Sequence, residues 1–246
     1  MSITSAEEFA GIKAAGIAAR RVLERMKQLV RPGITTAELD RIGNRVMAEN
    51  GARSAPAMVY QFPGGSCISV NDELVHGIPG DRRLEEGDLV KLDVTIEKNG
   101  FMADTAATIA VGVTSEERQK LVRCVERAFA KAMLVARAGF RVFEIGRVIE
   151  QEVRRSGFSV VRELCGHGIG RTIHESPLVP NYPDPGAKTI LSEGLVITVE
   201  PIIAAGTGRQ YLDDDGWTLR TADASMAAHY EHTIVITNGR PILLTA

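Results

Sequence analysis

EGDLVKLDVTIEKNGFMADT, residues Glu86–Thr105, sets two short apolar runs on either side of Glu97-Lys98-Asn99-Gly100, and each run carries one aspartate. Asn-Gly between β-prone runs predicts a hairpin, because the tight primed turns need positive φ at their centre. If Asn99 and Gly100 alone form the loop, Asp93 pairs with Ala106 and lies diagonal to Asp104. A four-residue loop, Glu97–Gly100, sets the two aspartates directly opposite. Both registers put the carboxylates on one face of the sheet. Leu89, Val90, Leu92, Val94 and Ile96 around Asp93 predict a largely buried strand, where unpaired ionised carboxylates are too costly to keep. Something positive is expected between them. The same pattern also fits an aspartate pair at a sheet edge, solvated or paired with an arginine.

Outward from the hairpin, the chain has the bulk of a globular protein. Its 246 residues are 44% hydrophobic, enough to bury a full core. A formal charge of −2, with Lys and Arg spread throughout, offers no basic stripe for nucleic acid. Cys67, Cys124 and Cys165 are odd in number and far apart, which speaks against a disulfide framework or a zinc ribbon and fits a reducing cytoplasm. MSITSAEEF lacks the basic and apolar regions of a signal peptide, and no run approaches a membrane span. The expectation is a soluble cytoplasmic protein without membrane partners, and a monomer.

Two helices are expected before the strands. Ser5 and Glu8 form a capping box ahead of Phe9, Ile12, Ala19, Val22, Leu23, Met26 and Leu29 at helical spacing, up to Arg31-Pro32-Gly33. Thr35 and Glu38 open a second helix that closes at Asn50-Gly51. Residues 52–65 read as a loop, 66–70 as a short strand, and 71–80 as a second loop containing His76. The plan then repeats. Thr114–Glu117 caps a helix ending at Gly139, and another spans about Val142–Ser156. An offset of 106 matches Arg31-Pro32-Gly33 with Arg137-Ala138-Gly139, Glu38 with Glu144 and Gly51 with Gly157. One residue out of phase, EGDLVKLD (86–93) overlies EGLVITVE (193–200), so Asp93 falls on Glu200. Each is followed by a return strand with its own carboxylate, Asp104 or Glu231. Four acidic groups thus converge across a pseudo-twofold axis, in an α+β chain whose halves are about 1–113 and 114–246.

Between the second helix pair and Glu200 lies CGHGIGRTIH, residues 165–174, where glycines flank His167 and are expected to let the backbone approach a ligand. Four carboxylates and an imidazole make a hard, oxygen-rich set suited to two divalent ions of the Mn, Fe, Co or Zn kind. His229 and His232 flank Glu231. Alternation sends His232 to the opposite face and His229 to the same one, both read as structural. Asp213-Asp214-Asp215 reads as a solvated turn. No Gly-x-Ser-x-Gly, phosphate loop or His-Glu-x-x-His motif occurs.

Asp93, Asp104 eleven residues on, CGHGIGRTIHESP (165–177), Glu200 in TVEP and Glu231 in YEHTIVIT together resemble the methionine aminopeptidases of the pita-bread, or creatinase-like, fold. The resemblance spans nearly the whole chain. It implies one catalytic domain over residues 1–246, a curved and mostly antiparallel central sheet, and helices on the sheet's outer face. It also implies two divalent ions held by Asp93, Asp104, His167, Glu200 and Glu231, with Asp93 bidentate and Asp104 and Glu231 bridging. With 26 positions from His174 to Glu200 there is no room for the type II insertion, so the short bacterial type I form is the nearest match. The implied reaction removes an N-terminal methionine that precedes a small residue, by a hydroxide bridging the two metals. Glu200 acts as proton shuttle, His174 donates to the oxyanion and His76 touches the substrate backbone. Phe62, Cys67 and Trp217 are the expected methionine pocket. There Ile173 replaces a Phe frequent in the family and Pro56 stands where a cysteine is common, so the walls are partly rebuilt. Asn71 is expected to help hold a monovalent cation through its loop. The implied partners are N-termini of nascent or newly made polypeptides, which places the protein near the ribosome. Rival readings are an Xaa-Pro aminopeptidase or dipeptidase on the same fold, usually with an additional N-terminal domain where here a helix begins at residue 6, and a non-catalytic binding protein of this fold, which would lack ligands.

Overall fold

The computed structural model describes residues 1–246. Ser5 caps α1 (Ala6–Lys27), its hydroxyl accepting from the Glu8 N–H, and Thr35 caps α2 (Thr36–Glu49) with both arms of a capping box present. The first half continues through β1 (Arg53–Ser54), α3 (Ala55–Tyr60), β2 (Cys67–Val70), β3 (Glu73–Val75), β4 (Leu89–Lys98) and β5 (Phe101–Ala110). Two helices again lead the second half, α4 (Glu116–Ala132) and α5 (Val142–Arg155). Ten strands follow: β6 (Ser159–Val160), β7 (Cys165–Gly168), β8 (Glu175–Pro180), β9 (Val196–Val199), β10 (Ile202–Ala204), β11 (Gln210–Leu212), β12 (Leu219–Thr221), β13 (Ala227–His229), β14 (Glu231–Val235) and β15 (Ile242–Leu243). No helix is long and apolar enough to cross a membrane.

β4 and β5 form the two-residue hairpin. Lys98 pairs with Phe101 and Asp93 with Ala106, while Asn99 and Gly100 turn at φ 51° and 79°. Asp104 therefore faces Thr95, diagonal to Asp93. The hairpin lies inside a nine-stranded sheet of order β1-β4-β5-β14-β9-β7-β8, with β2 on β4 and β15 on β14, and every pairing is antiparallel. Asp93 is thus not at an edge. Alternation separates two faces. Leu92, Val94 and Ile96 join α1 and α2 in one core, and Ile197, Val199 and Ile234 join α4 and α5 in another. Asp93, Thr95, Asp104, Thr198 and Glu231 look the other way. Small residues let α1 lie close, and a Cβ on Gly16 would come within 2.4 Å of the Leu244 carbonyl oxygen.

The internal repeat is written in the backbone. Gly33 N–H donates to Leu84 O and Gly139 N–H to Leu191 O, at 2.7 and 2.9 Å, and both glycines sit at φ near 85°. Leu84 and Leu191 return N–H bonds to Ile34 and Phe140 at 2.9 and 2.8 Å. Isolated bridges join Thr35 to Arg83 and Arg141 to Ile190. Each pair is related by 106 positions in the helical partner and 107 in the strand partner, the two offsets of the sequence alignment. Two stretches read as loops carry short elements instead. Residues 52–65 contain β1 and α3, which Ser54 caps through the Ala57 N–H, and 71–80 contain β3, paired with β12.

Candidate metal centre and substrate cavity

The polar face of the sheet floors a cavity of ≈ 320 Å³. Register explains who stands there. Cys67 pairs with Asp93 and so shares its face, and Glu231 pairs with Ala106, two residues from Asp104. Asp93, Asp104, His167, Glu200 and Glu231 line the floor, while His76, His174, Phe62, Cys67 and Trp217 line the walls. Pro56 and Ile173 are also in the lining, at the two positions where the pocket departs from the resemblance.

The four carboxylates are mutually incompatible as bare ions. Burial raises the Asp93 pKa well above the ordinary carboxylate range, with Asp104 and Glu200 adding to the rise. Glu231 is raised well above it likewise, by burial first and then by Asp104, Glu200 and Asp93. Asp104 is raised by burial, and Glu200 is pushed up to about 8 by burial against the opposing Thr198 hydrogen bond. Asp93 Oδ1, Asp104 Oδ1 and Glu231 Oε1 are buried without a hydrogen-bond partner. Donor atoms of Asp104, His167 and Glu231 all lie within 4.8 Å of one another. Orphaned carboxylate oxygens and one imidazole on one floor fit hard divalent cations, which would neutralise all four groups at once.

Neighbours fix this set in place. Nδ1 of His167 lies 2.9 Å from the Gly168 carbonyl oxygen, so Nδ1 carries the proton and Nε2 offers its lone pair. Nε2 is 3.6 Å from Glu200 Oε2, and with burial lowering the His167 pKa this contact is not an ion pair at neutral pH. The Thr198 hydroxyl donates to Glu200 Oε2 (2.7 Å) and accepts from the His167 N–H (3.0 Å), tying two floor residues together. Thr233 exchanges two 2.8 Å bonds with the Asp104 backbone. The glycines beside His167 serve strand packing rather than ligand approach. A Cβ on Gly166 would meet Thr198 O at 2.6 Å, and one on Gly168 would meet Ser176 O at 2.3 Å.

On the walls, Phe62 and Trp217 meet edge to face at 5.2 Å between centroids. The Cys67 thiol is pushed well above its ordinary pKa by burial and by Asp93, which makes it a neutral wall rather than a ligand. His76 stands exposed at a left-handed φ of 59°. His174, also exposed, stacks edgewise on His167 at 4.3 Å, and its Nδ1 is 2.6 Å from the Tyr60 hydroxyl. His232 turns to the far side, to Thr245 and Tyr230, as alternation requires. His229 is in the cavity wall, 3.3 Å from Glu231, yet burial and Lys91 push its pKa down to about 3, so it stays neutral.

The family model for metallopeptidase family M24 matches residues 10–238. The chain belongs to this family. Among M24 proteins it is 44% identical to methionine aminopeptidase 2 of Bacillus subtilis, over 100% of this chain and 99% of that one. It is 41% identical to the methionine aminopeptidase of Escherichia coli K12, over 99% of this chain and 93% of that one. In structure it resembles the methionine aminopeptidase of Thermotoga maritima at a TM-score of 0.96 and 34% identity, covering 100% and 99% of the two chains. The prolidase of Pyrococcus furiosus shares the fold at a TM-score of 0.80 and 26% identity, with 99% of this chain covering 65% of that one.

Three features of the site carry no signal in the sequence. Tyr60 sits on α3, six residues long and too short for a periodic signal. Thr198 is legible only as the position two before Glu200 on its strand face. Lys91, two before Asp93, faces the same interior and is 1% exposed. Its Nζ donates to the carbonyl oxygens of Asn71 (2.7 Å) and Ala227 (3.3 Å). Burial pushes Lys91 down to about 7, while Glu73, Asp72 and Asp88 favour its charged form. In the loop expected to help hold a monovalent cation, the Asn71 carbonyl accepts from the chain's own amine.

Proposed function

We propose that this M24 protein removes the N-terminal methionine from proteins and peptides whose second residue is small. The observation that carries the reading is the floor of four carboxylates and His167, with Asp104, Glu231 and His167 buried and Asp93 and Glu200 half-buried, opening directly into a cavity walled by Phe62, Cys67 and Trp217. Asp93, Asp104, His167, Glu200 and Glu231 would hold two divalent ions of the Co, Mn, Fe or Zn kind. Bound there, such ions supply Lewis acidity and activate water near neutral pH. Glu200, oriented by the Thr198 hydroxyl, takes the proton released on attack and passes it to the leaving amine. With the Tyr60 hydroxyl donating to Nδ1, His174 keeps its proton on Nε2 for the oxyanion that forms on the substrate carbonyl. His76 orients the substrate backbone from the opposite wall. Residues 1–246 act as one catalytic domain on N-termini of newly made chains, as a cytoplasmic monomer within reach of the ribosome.

The experiment pairs elemental analysis of protein purified without added metal with cleavage of Met-Ala-Ser and of an Ala-Pro peptide. Bound divalent metal with release of methionine supports the reading. Preferential Ala-Pro cleavage replaces it with the proline-directed one, and metal-free, inert protein replaces it with a binding role.

A further inference from the structure

Two segments that shape the cavity from opposite halves of the chain meet at one positive charge. The turn at Asn71–Asp72 leads through β3 to His76, and β13 ends at His229, two residues before Glu231. Asn71 is held in the left-handed region at φ 59°. Its N–H donates to Leu89 O (2.8 Å), its side chain bonds Asp88 Oδ1 (2.8 Å) and the Leu89 N–H (3.0 Å), and its carbonyl accepts from the Ala227 N–H (3.0 Å). That leaves the Asn71 and Ala227 carbonyl oxygens converging on Lys91 Nζ. Backbone carbonyls turned inward on a cation are how proteins replace the hydration shell of an alkali ion. Here the charge arrives on a side chain.

We infer that Lys91 is a tethered substitute for a monovalent cation, a positioning residue whose ammonium locks the Asn71 turn to β13. The loop carrying His76 and the strand leading to Glu231 are thereby set without a free alkali ion. This disagrees with a free monovalent cation held through the Asn71 loop: the cation there is part of the chain. The inference is independent of the substrate, because its readout is thermal unfolding.

The test follows unfolding of the full chain at fixed ionic strength in KCl, NaCl and tetramethylammonium chloride. The wild-type Tm is expected to be the same in all three. Lys91→Ala leaves two buried carbonyls short of a donor and opens space beside them, so its Tm in tetramethylammonium should drop by on the order of 5 °C. K⁺ or Na⁺ should restore most of that drop. Lys91→Met, which fills the space without charge, should lose stability and gain nothing from either ion. A wild-type Tm that rises in K⁺ or Na⁺ over tetramethylammonium overturns the inference. So does a Lys91→Ala deficit that neither ion relieves, or equal relief of both variants. Should Lys91→Ala fail to accumulate folded, its refolding yield decides: higher yield in K⁺ or Na⁺ supports the substitution, and equal yields overturn it.

Discussion

Burial divides the histidines by task. His167 is 4% exposed with its Nδ1 held by the Gly168 carbonyl, whereas His76 and His174 stand open at the walls. A buried imidazole with a fixed Nδ1 proton suits a ligand, and an exposed one suits contact with substrate. His174→Ala is therefore expected to keep its metal, measured by elemental analysis, while kcat falls on the order of 10²-fold with KM little changed. Equal loss of metal would make His174 a ligand. Tyr60→Phe removes a neutral hydrogen bond from the same ring, and kcat should fall by only ~3- to 10-fold, with the metal content again unchanged. The residues of this site were legible where chemistry narrows the choice. Carboxylates in apolar strands demand a counter-charge, so Asp93, Glu200 and Glu231 stood out. Tyr60 and Thr198 act through one hydrogen bond each, and nothing in their types distinguishes them from ordinary surface or strand residues.

Elements were legible in proportion to their length and to the strength of their punctuation. α1 announces itself by its Ser5 cap, although Glu8 reaches back to Thr4 rather than closing a box on Ser5, α2 by a full capping box, and Asn99-Gly100 by the φ values its turn demands. α3 and β3, six and three residues long, carry no period to read, and they are fixed by tertiary pairing instead. Choosing between the two hairpin registers likewise needed the neighbouring strands, since both keep the aspartates on one face. The turn itself should be sensitive to change. Gly100→Val places a β-branched residue at φ 79° and is expected to destabilise the fold by about 1–3 kcal/mol, read as a lower urea midpoint at unchanged slope. Gly139→Ala tests the repeat in the same way. Its φ of 86° at the junction equivalent to Gly33 should make the substitution destabilising, although a Cβ there meets no atom within 4 Å.

At the scale of the whole molecule, the two halves each bring a pair of carboxylates to one interior, and stability depends on what neutralises them. In metal-free protein the raised pKa values mean that the folded state binds more protons than the unfolded one. The floor's own contribution is then fully present below the ordinary carboxylate range and is lost as pH rises to about 8, the value for Glu200, while carboxylates held low elsewhere, such as Glu152, and the neutral His229 act the other way at acid pH. Chelated protein should show a Tm falling across that window, and added divalent ion should raise Tm by more at pH 8 than at pH 5. Specificity also belongs to this scale, because the cavity is assembled from both halves: Phe62 and Cys67 come from the first, Trp217 and Ile173 from the second. A thioether lying between the Phe62 and Trp217 rings gains sulfur–aromatic contacts that a leucine side chain cannot make. Ile173 and Pro56 alter only part of the wall, and such exchanges shift discrimination by about 1–3 kcal/mol each. Methionine should therefore remain preferred. The residue after it should be small, because His76 and the carboxylate floor crowd that side of the scissile bond. Comparing kcat/KM for Met-Ala, Leu-Ala, Met-Leu and Ala-Pro peptides separates these statements. Met-Ala is expected to lead Leu-Ala by roughly 10-fold or more, with Met-Leu far behind. Equal rates for Leu-Ala and Met-Ala would remove Phe62, Cys67 and Trp217 from the pocket, since no side chain that distinguishes sulfur from a branched carbon would then be touching the substrate.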